Sequence, residues 1–113
     1  MTDPALSARL VLSTAATPEE AARIGRALVE ERLAACATVI AGAQSIYRWK
    51  DAVEEATETL LLLKTGTETI AALEARLHAL HSYEVPEFLV FDVEAGSHRY
   101  LDWLQSCLRP PQP

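Results

Sequence analysis

The sequence predicts an α+β fold, a ferredoxin-like sandwich in which an antiparallel sheet carries two helices on one face. Three observations lead to this prediction. The hydrophobic periodicity switches between strand and helix in the order βαββαβ, and one further helix follows. The two middle strands, 36–49 and 53–65, are longer than the usual length of about five or six residues, so their hairpin should project beyond the domain body. The 113 residues, half of them hydrophobic, suffice for one core and leave no room for a second domain.

The first strand and the first helix are indicated by a short β-type run and a strong helix start. Residues 9–14 (RLVLST) form the β-type run. Thr17 can cap a helix, Pro18 suits its first position and Glu20 completes a capping box. An apolar stripe at helical spacing then continues to about residue 35. We therefore expect a helix from Pro18 to that point.

The projecting hairpin consists of two long strands joined by a tight connection. Gly42 lies in the middle of the strand at 36–49, where a bulge or a bend is expected. Asp51, in the connection, tolerates the left-handed conformation that such turns need. The strand at 53–65 is charged at its start and apolar towards its end, which should be buried on both faces. The hairpin also carries large apolar side chains, which predict packing against another subunit and hence a homo-oligomer. These are Ile46, Tyr47 and Trp49.

The second half of the chain repeats the helix–strand order and adds a helix. A leucine stripe from Thr67 onward predicts the second helix, and Pro86 forces an extended conformation on the residue before it. A strand is expected at 88–93. Gly96 then interrupts the regular structure, and Ser97 is expected to cap the last helix.

Composition and charge narrow the classes of function. Ten Lys and Arg against sixteen Asp and Glu give a net charge of −6, which argues against nucleic-acid binding and against an anionic membrane surface. The N-terminus lacks the cationic region of a signal peptide, and Cys36 and Cys107 do not make a disulfide framework, so we expect a cytoplasmic location. The motifs of the common catalytic classes are absent from the sequence, which predicts a protein that is not an enzyme. One domain is expected at 9–108, with flexible tails at 1–8 and 109–113.

The densest polar group of the sequence is His81-x-x-Glu84-x-x-Glu87. Imidazole and carboxylate groups bind zinc and copper, so these three residues predict a site for a divalent metal ion. From the spacing alone, an ordinary helix end is the simpler explanation, with His81 near the negative end of the helix dipole and the two glutamates in solvent. Spacing in a loop does not fix side-chain directions, so both interpretations stay open.

Cys36 lies between alanines, where the first helix gives way to the hairpin. It could be a thiolate ligand, a nucleophile beside His81, or a small buried hydrophobic residue. No third group that would orient a Cys36–His81 pair can be identified, which disfavours an enzyme. Tyr47, Trp49 and Tyr83 could line a pocket, or they could pack at an interface.

Five stretches taken together resemble the CutA family of divalent-cation tolerance proteins. They are LAACA at 33–37, SIYRW at 45–49, LLKT at 62–65, HSYEVPE at 81–87 and YLDWL at 100–104. The resemblance covers the chain from about Arg9 to Leu108. It implies a homotrimer of ferredoxin-like subunits, similar in architecture to the PII signalling proteins.

The resemblance also implies a function, which is tolerance of divalent cations together with metal binding. Cu²⁺ is the expected ion and Zn²⁺ the second, and neither is needed for folding. Carried onto this chain, the implied ligands are Cys36, His81 and Glu87, with Glu84 as a further candidate. The alternative implied by the PII-like architecture is a signalling or scaffold protein. It would bind a small molecule or a partner protein in the cleft between subunits.

The chain departs from the family pattern at three positions that bear on metal binding. Ser82 stands where the family commonly has proline, so the loop should be less rigid. Some members implicated in copper binding have a cysteine at the position of Ser13 and a histidine at that of Leu80. This chain has fewer soft ligands, and we expect it to bind copper more weakly.

Overall fold

A computed structural model describes residues 7–110, which form a four-stranded sheet and three helices. In chain order the elements are β1 (Ala8–Ala15), α1 (Pro18–Glu30), β2 (Cys36–Trp49), β3 (Ala52–Gly66), α2 (Ile70–Leu80), β4 (Leu89–Asp92) and α3 (His98–Cys107). This is the predicted order. Within residues 7–110, no helix has both the length and the apolar character needed to cross a bilayer.

The sheet has the strand order β2-β3-β1-β4, and every neighbouring pair is antiparallel. The central strand β1 pairs with β3 along its whole length and with β4 over residues 9–12. The crossovers from β1 to β2 and from β3 to β4 are made by α1 and α2, whereas β2 and β3 form a hairpin. This arrangement confirms the predicted ferredoxin-like sandwich.

The helices α1 and α2 cover one face of the sheet and enclose the main core. The stripe predicted for α1 is buried, and Ile24 and Leu28 are fully inaccessible to solvent. Alternate residues of β1 and β3 point towards these helices because side chains along a strand alternate between faces. The buried side chains of this core are Val11, Ile24, Leu28, Leu33, Ala34, Leu61, Leu63, Leu73 and Leu77.

Both of these helices are shorter than predicted. Helix α1 ends at Glu30, about five residues early, because Arg32 adopts a φ of 59°, in the left-handed region that ends many helices. Helix α2 begins at Ile70, because the preceding residues form a turn instead. That turn is closed by a 3.1 Å hydrogen bond from the Thr69 N–H to the Gly66 carbonyl.

The hairpin of β2 and β3 gives the molecule its long axis, with overall extents of 50 × 26 × 23 Å. The register between the two strands shifts at Gly42, whose φ is 82°, so the predicted bulge is confirmed. The connection consists of Lys50 and Asp51, with φ of 49° and 66°. Two left-handed residues are typical of the tight turn whose twist matches a hairpin. Ala52, predicted as part of the connection, belongs to β3.

The opposite face of the sheet is only partly covered. Helix α3 packs on one end of it through Leu101 and Leu104, which cluster with Ala8 and Ala35. The hairpin and β4 leave large apolar side chains exposed to solvent. These are Val39, Ile40, Ile46, Tyr47, Trp49, Val53, Leu89, Val90 and Phe91.

The described residues include the inner ends of both predicted tails. Ala8 is buried in β1, and the Arg109 N–H donates a 2.9 Å hydrogen bond to the Arg32 carbonyl. These residues are therefore held by the domain. Residues 1–6 and 111–113 of the predicted tails lie outside the described residues.

Candidate functional site

A cleft of about 770 Å³ lies between the hairpin and the segment that joins α2 to β4. The hairpin wall includes Ser45, Tyr47 and Trp49, which share one face of β2 because strand side chains alternate. The other wall is the segment at 83–89. The lining residues are Thr14, Ser45, Ile46, Tyr47, Trp49, Glu58, Tyr83, Glu84, Val85, Pro86, Glu87, Phe88 and Leu89.

His81 anchors the start of that segment, and its side chain is fully buried. Its Nε2 atom lies 2.7 Å from the Thr14 carbonyl oxygen. A carbonyl oxygen can only accept a hydrogen bond, so Nε2 carries the ring proton and donates the hydrogen bond. Nδ1 accepts a 3.1 Å hydrogen bond from the Tyr83 N–H. Both ring nitrogens therefore bind the backbone, and neither has a lone pair free for a metal ion.

Glu20 provides a second anchor that the sequence did not predict. Its N–H donates a 3.1 Å bond to Thr17 Oγ1, as the capping box predicts. Its carboxylate accepts a 2.8 Å bond from the Ser82 N–H and lies 3.8 Å from His81 Nδ1. Burial favours a higher pKa, but the hydrogen bonds from Ser82, together with the interactions with His81 and the Ala16 backbone, outweigh it and lower the pKa of Glu20. A proline at position 82 could not donate this bond.

Glu58 and Tyr83 join the two walls of the cleft. The Tyr83 hydroxyl donates a 2.5 Å hydrogen bond to Glu58 Oε2. Burial, and then the hydrogen bond and negative charge of Glu58, raise the pKa of Tyr83, so the phenol keeps its proton and remains a donor. The Tyr83 ring also packs against the His81 ring, with 4.7 Å between their centroids.

Glu84 and Glu87 line the same cleft as Glu58. The Ser13 hydroxyl donates a 2.7 Å hydrogen bond to the Glu87 carbonyl and so fixes the backbone there. Burial, and then the charge of Glu58, raise the pKa of the Glu87 carboxyl. Among residues 7–110, no Lys or Arg forms an ion pair with any of these three glutamates. Within the described chain, the negative charge of these three carboxylates is therefore not neutralised by a direct ion pair.

Cys36 lies away from this cleft. In the β2–β3 register it is opposite Lys64, whereas His81 is bonded to Thr14, which is opposite Leu60. These positions are four residues apart along β3, or about 13 Å. The Cys36 Sγ atom lies 3.8 Å from Lys64 Nζ. Cys36 and His81 are thus not brought together, either as shared metal ligands or as a thiolate–imidazole pair.

The four residues predicted as metal ligands consequently occupy three places. His81 is buried behind the cleft, Glu84 and Glu87 line it, and Cys36 is distant. In the part of the chain that the structure describes, no group of three or more His, Cys, Asp or Glu side chains could hold a metal ion. A copper or zinc site built on imidazole and thiolate does not fit this arrangement. Of the four residues, only the two glutamates are free to meet a cation.

The two positions at which the chain departs from the copper-binding members have structural roles. Ser13 is fully buried and its hydroxyl holds the Glu87 carbonyl. Leu80 is half-buried and packs against the main core. Neither residue contributes a ligand to the cleft.

Sequence reasoning missed two residues that shape the cleft, Glu58 and Glu20. A signal for Glu58 existed, because Glu54, Ala56 and Glu58 alternate along β3 and share the face that carries Tyr47. Nothing in the local sequence indicated that Glu20 would reach Ser82, 62 residues later.

Comparisons with known proteins agree with the resemblance seen in the sequence. The family model described as CutA1 divalent ion tolerance protein matches residues 9–107. The divalent-cation tolerance protein CutA of Thermus thermophilus is 48% identical, over 85% of this chain and 93% of its own length. That of Pectobacterium atrosepticum is 40% identical, over 94% and 96%. The solved structure of the Thermus thermophilus divalent cation tolerance protein superposes with a TM-score of 0.88 at 45% identity, covering 90% of this chain and 99% of its own. The chain therefore belongs to the CutA1 family of divalent ion tolerance proteins.

Proposed function

We propose that this chain is a non-enzymatic homotrimer that contributes to divalent-cation tolerance by binding a positively charged ligand in its cleft. The observation that carries the proposal is the unbalanced charge of Glu58, Glu84 and Glu87. Glu87 is partly removed from water and is repelled by the charge of Glu58, and Glu84 lines the same cleft. A bound cation would remove that repulsion, so the cleft favours a cation over a neutral or an anionic ligand.

For a divalent metal ion, we propose Glu84 and Glu87 as the ligands, with water in the remaining positions. His81 then acts by positioning the segment at 83–89. Cu²⁺ is the first ion to test and Zn²⁺ the second. Because the cleft offers oxygen ligands and neither free imidazole nor thiolate, we expect weak binding of both ions. The hydrogen bonds of His81 and Glu20 hold the segment without metal, so folding does not require the ion.

Calorimetric titration of metal-stripped, tag-free protein with Cu²⁺ and with Zn²⁺ tests this proposal. We expect saturable binding with a fixed ratio per subunit, weakened about tenfold in Glu87→Gln, which is about 1.4 kcal/mol. Cys36→Ser should bind as the wild type does. Glu30→Gln is the matched control, since Glu30 is exposed on α1 and the variant has the same change of charge.

Three results would count against this assignment. Dependence on Cys36 would favour a thiolate site, and an equal loss in Glu30→Gln would show a general effect of net charge. The absence of saturable binding by either ion would remove metal binding from the proposed function.

The proposed homotrimer is supported by the apolar surface of the hairpin and β4. Ile46 and Val53 are each 65% exposed in the single chain. Large apolar side chains exposed in this number are typical of interaction sites, because their burial against a neighbouring subunit is favourable. We also propose a cytoplasmic location, because Cys36 and Cys107 have free thiols, which a reducing compartment maintains.

A second candidate function is that of a PII-like scaffold or signalling protein. The aromatic residues Tyr47, Trp49 and Tyr83 favour it, because all three line the cleft. Aromatic rings of this kind pack against organic molecules, whereas a metal ion is held by oxygen, nitrogen or sulfur ligands. In a trimer built through the hairpins, this cleft would lie close to a subunit boundary.

A further inference from the structure

The cleft is larger and more aromatic than a metal ion requires. Its volume of about 770 Å³ falls in the range of about 300–1,000 Å³ that is usual for pockets that hold small molecules. We propose that it binds an organic ammonium ion of the linear aliphatic diamine class. This inference rests on the proposed function, since both require a cleft that binds cations, and it adds a class of ligand.

The aromatic wall suits an ammonium group. Tyr47 and Trp49 are two positions apart on β2 and present their rings on the same face, while Tyr83 stands on the opposite wall. An ammonium over the face of an aromatic ring is attracted by its quadrupole. Trp49 already makes such a contact within the chain, because Lys50 Nζ lies 5.7 Å from its ring centroid. This contact is the interaction that the Trp49 ring can make with an ammonium group.

The carboxylates supply the complementary charge. Glu58 comes from β3, whereas Glu84 and Glu87 come from the opposite wall, so the charges are spread over the cleft. In the described part of the chain, neither Glu84 nor Glu87 accepts a side-chain hydrogen bond or forms an ion pair. A primary ammonium carries three N–H donors, and each can meet a carboxylate oxygen.

The distribution of charge favours two ammonium groups over one. Three carboxylates facing a single charge would leave two of them unbalanced. A linear diamine places a charge at each end, and its methylenes can lie against Val85 and Pro86, which line the same wall. The net charge of −6 adds a long-range attraction for such a dication.

Tryptophan fluorescence provides a direct test. The sequence contains two tryptophans, Trp49 in the cleft and Trp103 on α3, so Trp103→Phe leaves Trp49 as the single reporter. This variant is titrated with 1,4-diaminobutane at constant ionic strength, and with 1,4-butanediol as the neutral analogue. We expect a saturable signal with the diamine and none with the diol. Glu84→Gln and Glu87→Gln should each weaken binding about three- to tenfold, and Glu30→Gln should not.

A calorimetric titration of Trp49→Leu measures the aromatic contribution, for which we expect affinity lower by about threefold or more. Equal signals from the diamine and the diol, an equal loss in Glu30→Gln, or no binding of the diamine would each overturn the inference. If the diamine fails while Cu²⁺ or Zn²⁺ binds with dependence on Glu87, the proposed function stands without this ligand. If the diamine and both metal ions fail, both proposals fall.

Discussion

His81 connects three parts of the chain that are distant in sequence. Its ring joins the end of β1, through the Thr14 carbonyl, to the backbone of the segment at 83–89, and Glu20 of α1 lies beside it. Loss of the imidazole would remove the hydrogen-bond partners of the Thr14 carbonyl and the Tyr83 N–H, both of which are partly buried, at a cost of up to about 1–3 kcal/mol for each group. A loss of ligand binding in His81→Ala would therefore report on the fold as well as on the cleft.

The ionisation of Glu87 affects stability in a direction that can be tested. Its pKa is raised in the folded chain above the ordinary value of 4.5. The folded state therefore holds this proton more tightly than the unfolded state does. The stability contributed by this group is present at low pH and is lost as the pH rises through the raised pKa.

Glu87→Gln should accordingly be more stable than the wild type near pH 7, because the amide has no charge to be repelled by Glu58. Urea unfolding at about pH 4 and about pH 7, at one fixed protein concentration, measures the difference. Comparison at equal pH cancels the contribution of Glu20, whose lowered pKa acts in the opposite direction. A variant less stable than the wild type at pH 7 would contradict the prediction.

The sequence predicted which residues lie at the site better than it predicted which groups they contact. Glu84 and Glu87 line the cleft with Tyr47, Trp49 and Tyr83, but the direction of the His81 ring could not be read from its spacing. That direction depends on Thr14 and Glu20, which are brought near it only by the packing of β1 and α1. The separation of Cys36 from His81 likewise follows from strand register, which local sequence does not contain.

Among the elements, the hairpin owes its shape to three residues with positive φ, Gly42, Lys50 and Asp51. Glycine has no steric penalty in this region, whereas a residue with a β-carbon does. A β-carbon at Gly42 would meet no atom within 4 Å, so any cost of substitution there comes from backbone conformation alone.

Replacing glycine at the bulge and introducing glycine at the turn should therefore change the free energy of unfolding in opposite directions. Gly42→Ala is expected to lower the free energy of unfolding by about 1–2 kcal/mol. Asp51→Gly is expected to raise it by about 0.5 kcal/mol, since glycine is favoured at the second position of such a turn. Chemical denaturation followed by circular dichroism measures both. A stabilised Gly42→Ala variant would contradict the assigned backbone conformation.

Local pattern was sufficient for the elements whose signals are strong. The two long strands, the bulge at Gly42 and the cap at Thr17 were all predicted correctly. The ends of α1 and α2 were not, because the apolar stripe continues past Glu30 into Leu33, which stays buried after the helix has ended. The periodic pattern indicates which residues are buried, and here the buried residues continue beyond the end of the helix.

For the whole molecule, the prediction concerns assembly. Light scattering coupled to size-exclusion chromatography should give three times the 12.4 kDa of one chain. Ile46→Lys, on the hairpin, should shift the mass towards one chain, because a charge would be buried at the interface. Val29→Lys, which changes a 37% exposed residue of α1, should not. A wild-type mass of one chain would contradict the proposed trimer.

The two-residue turn also limits how the length of this protein can change. Beyond the bulge, β2 and β3 pair without interruption from Ala43 and Glu58 to the turn. Deleting one residue of β2 between Gly42 and the turn would reverse the facing of every side chain on one side of the deletion. Deletion of Arg48, which lies between them, would place Tyr47 and Trp49 on opposite faces of the sheet. Removing two consecutive residues from each strand would preserve the facing, so the hairpin can lengthen or shorten only in steps of two paired positions.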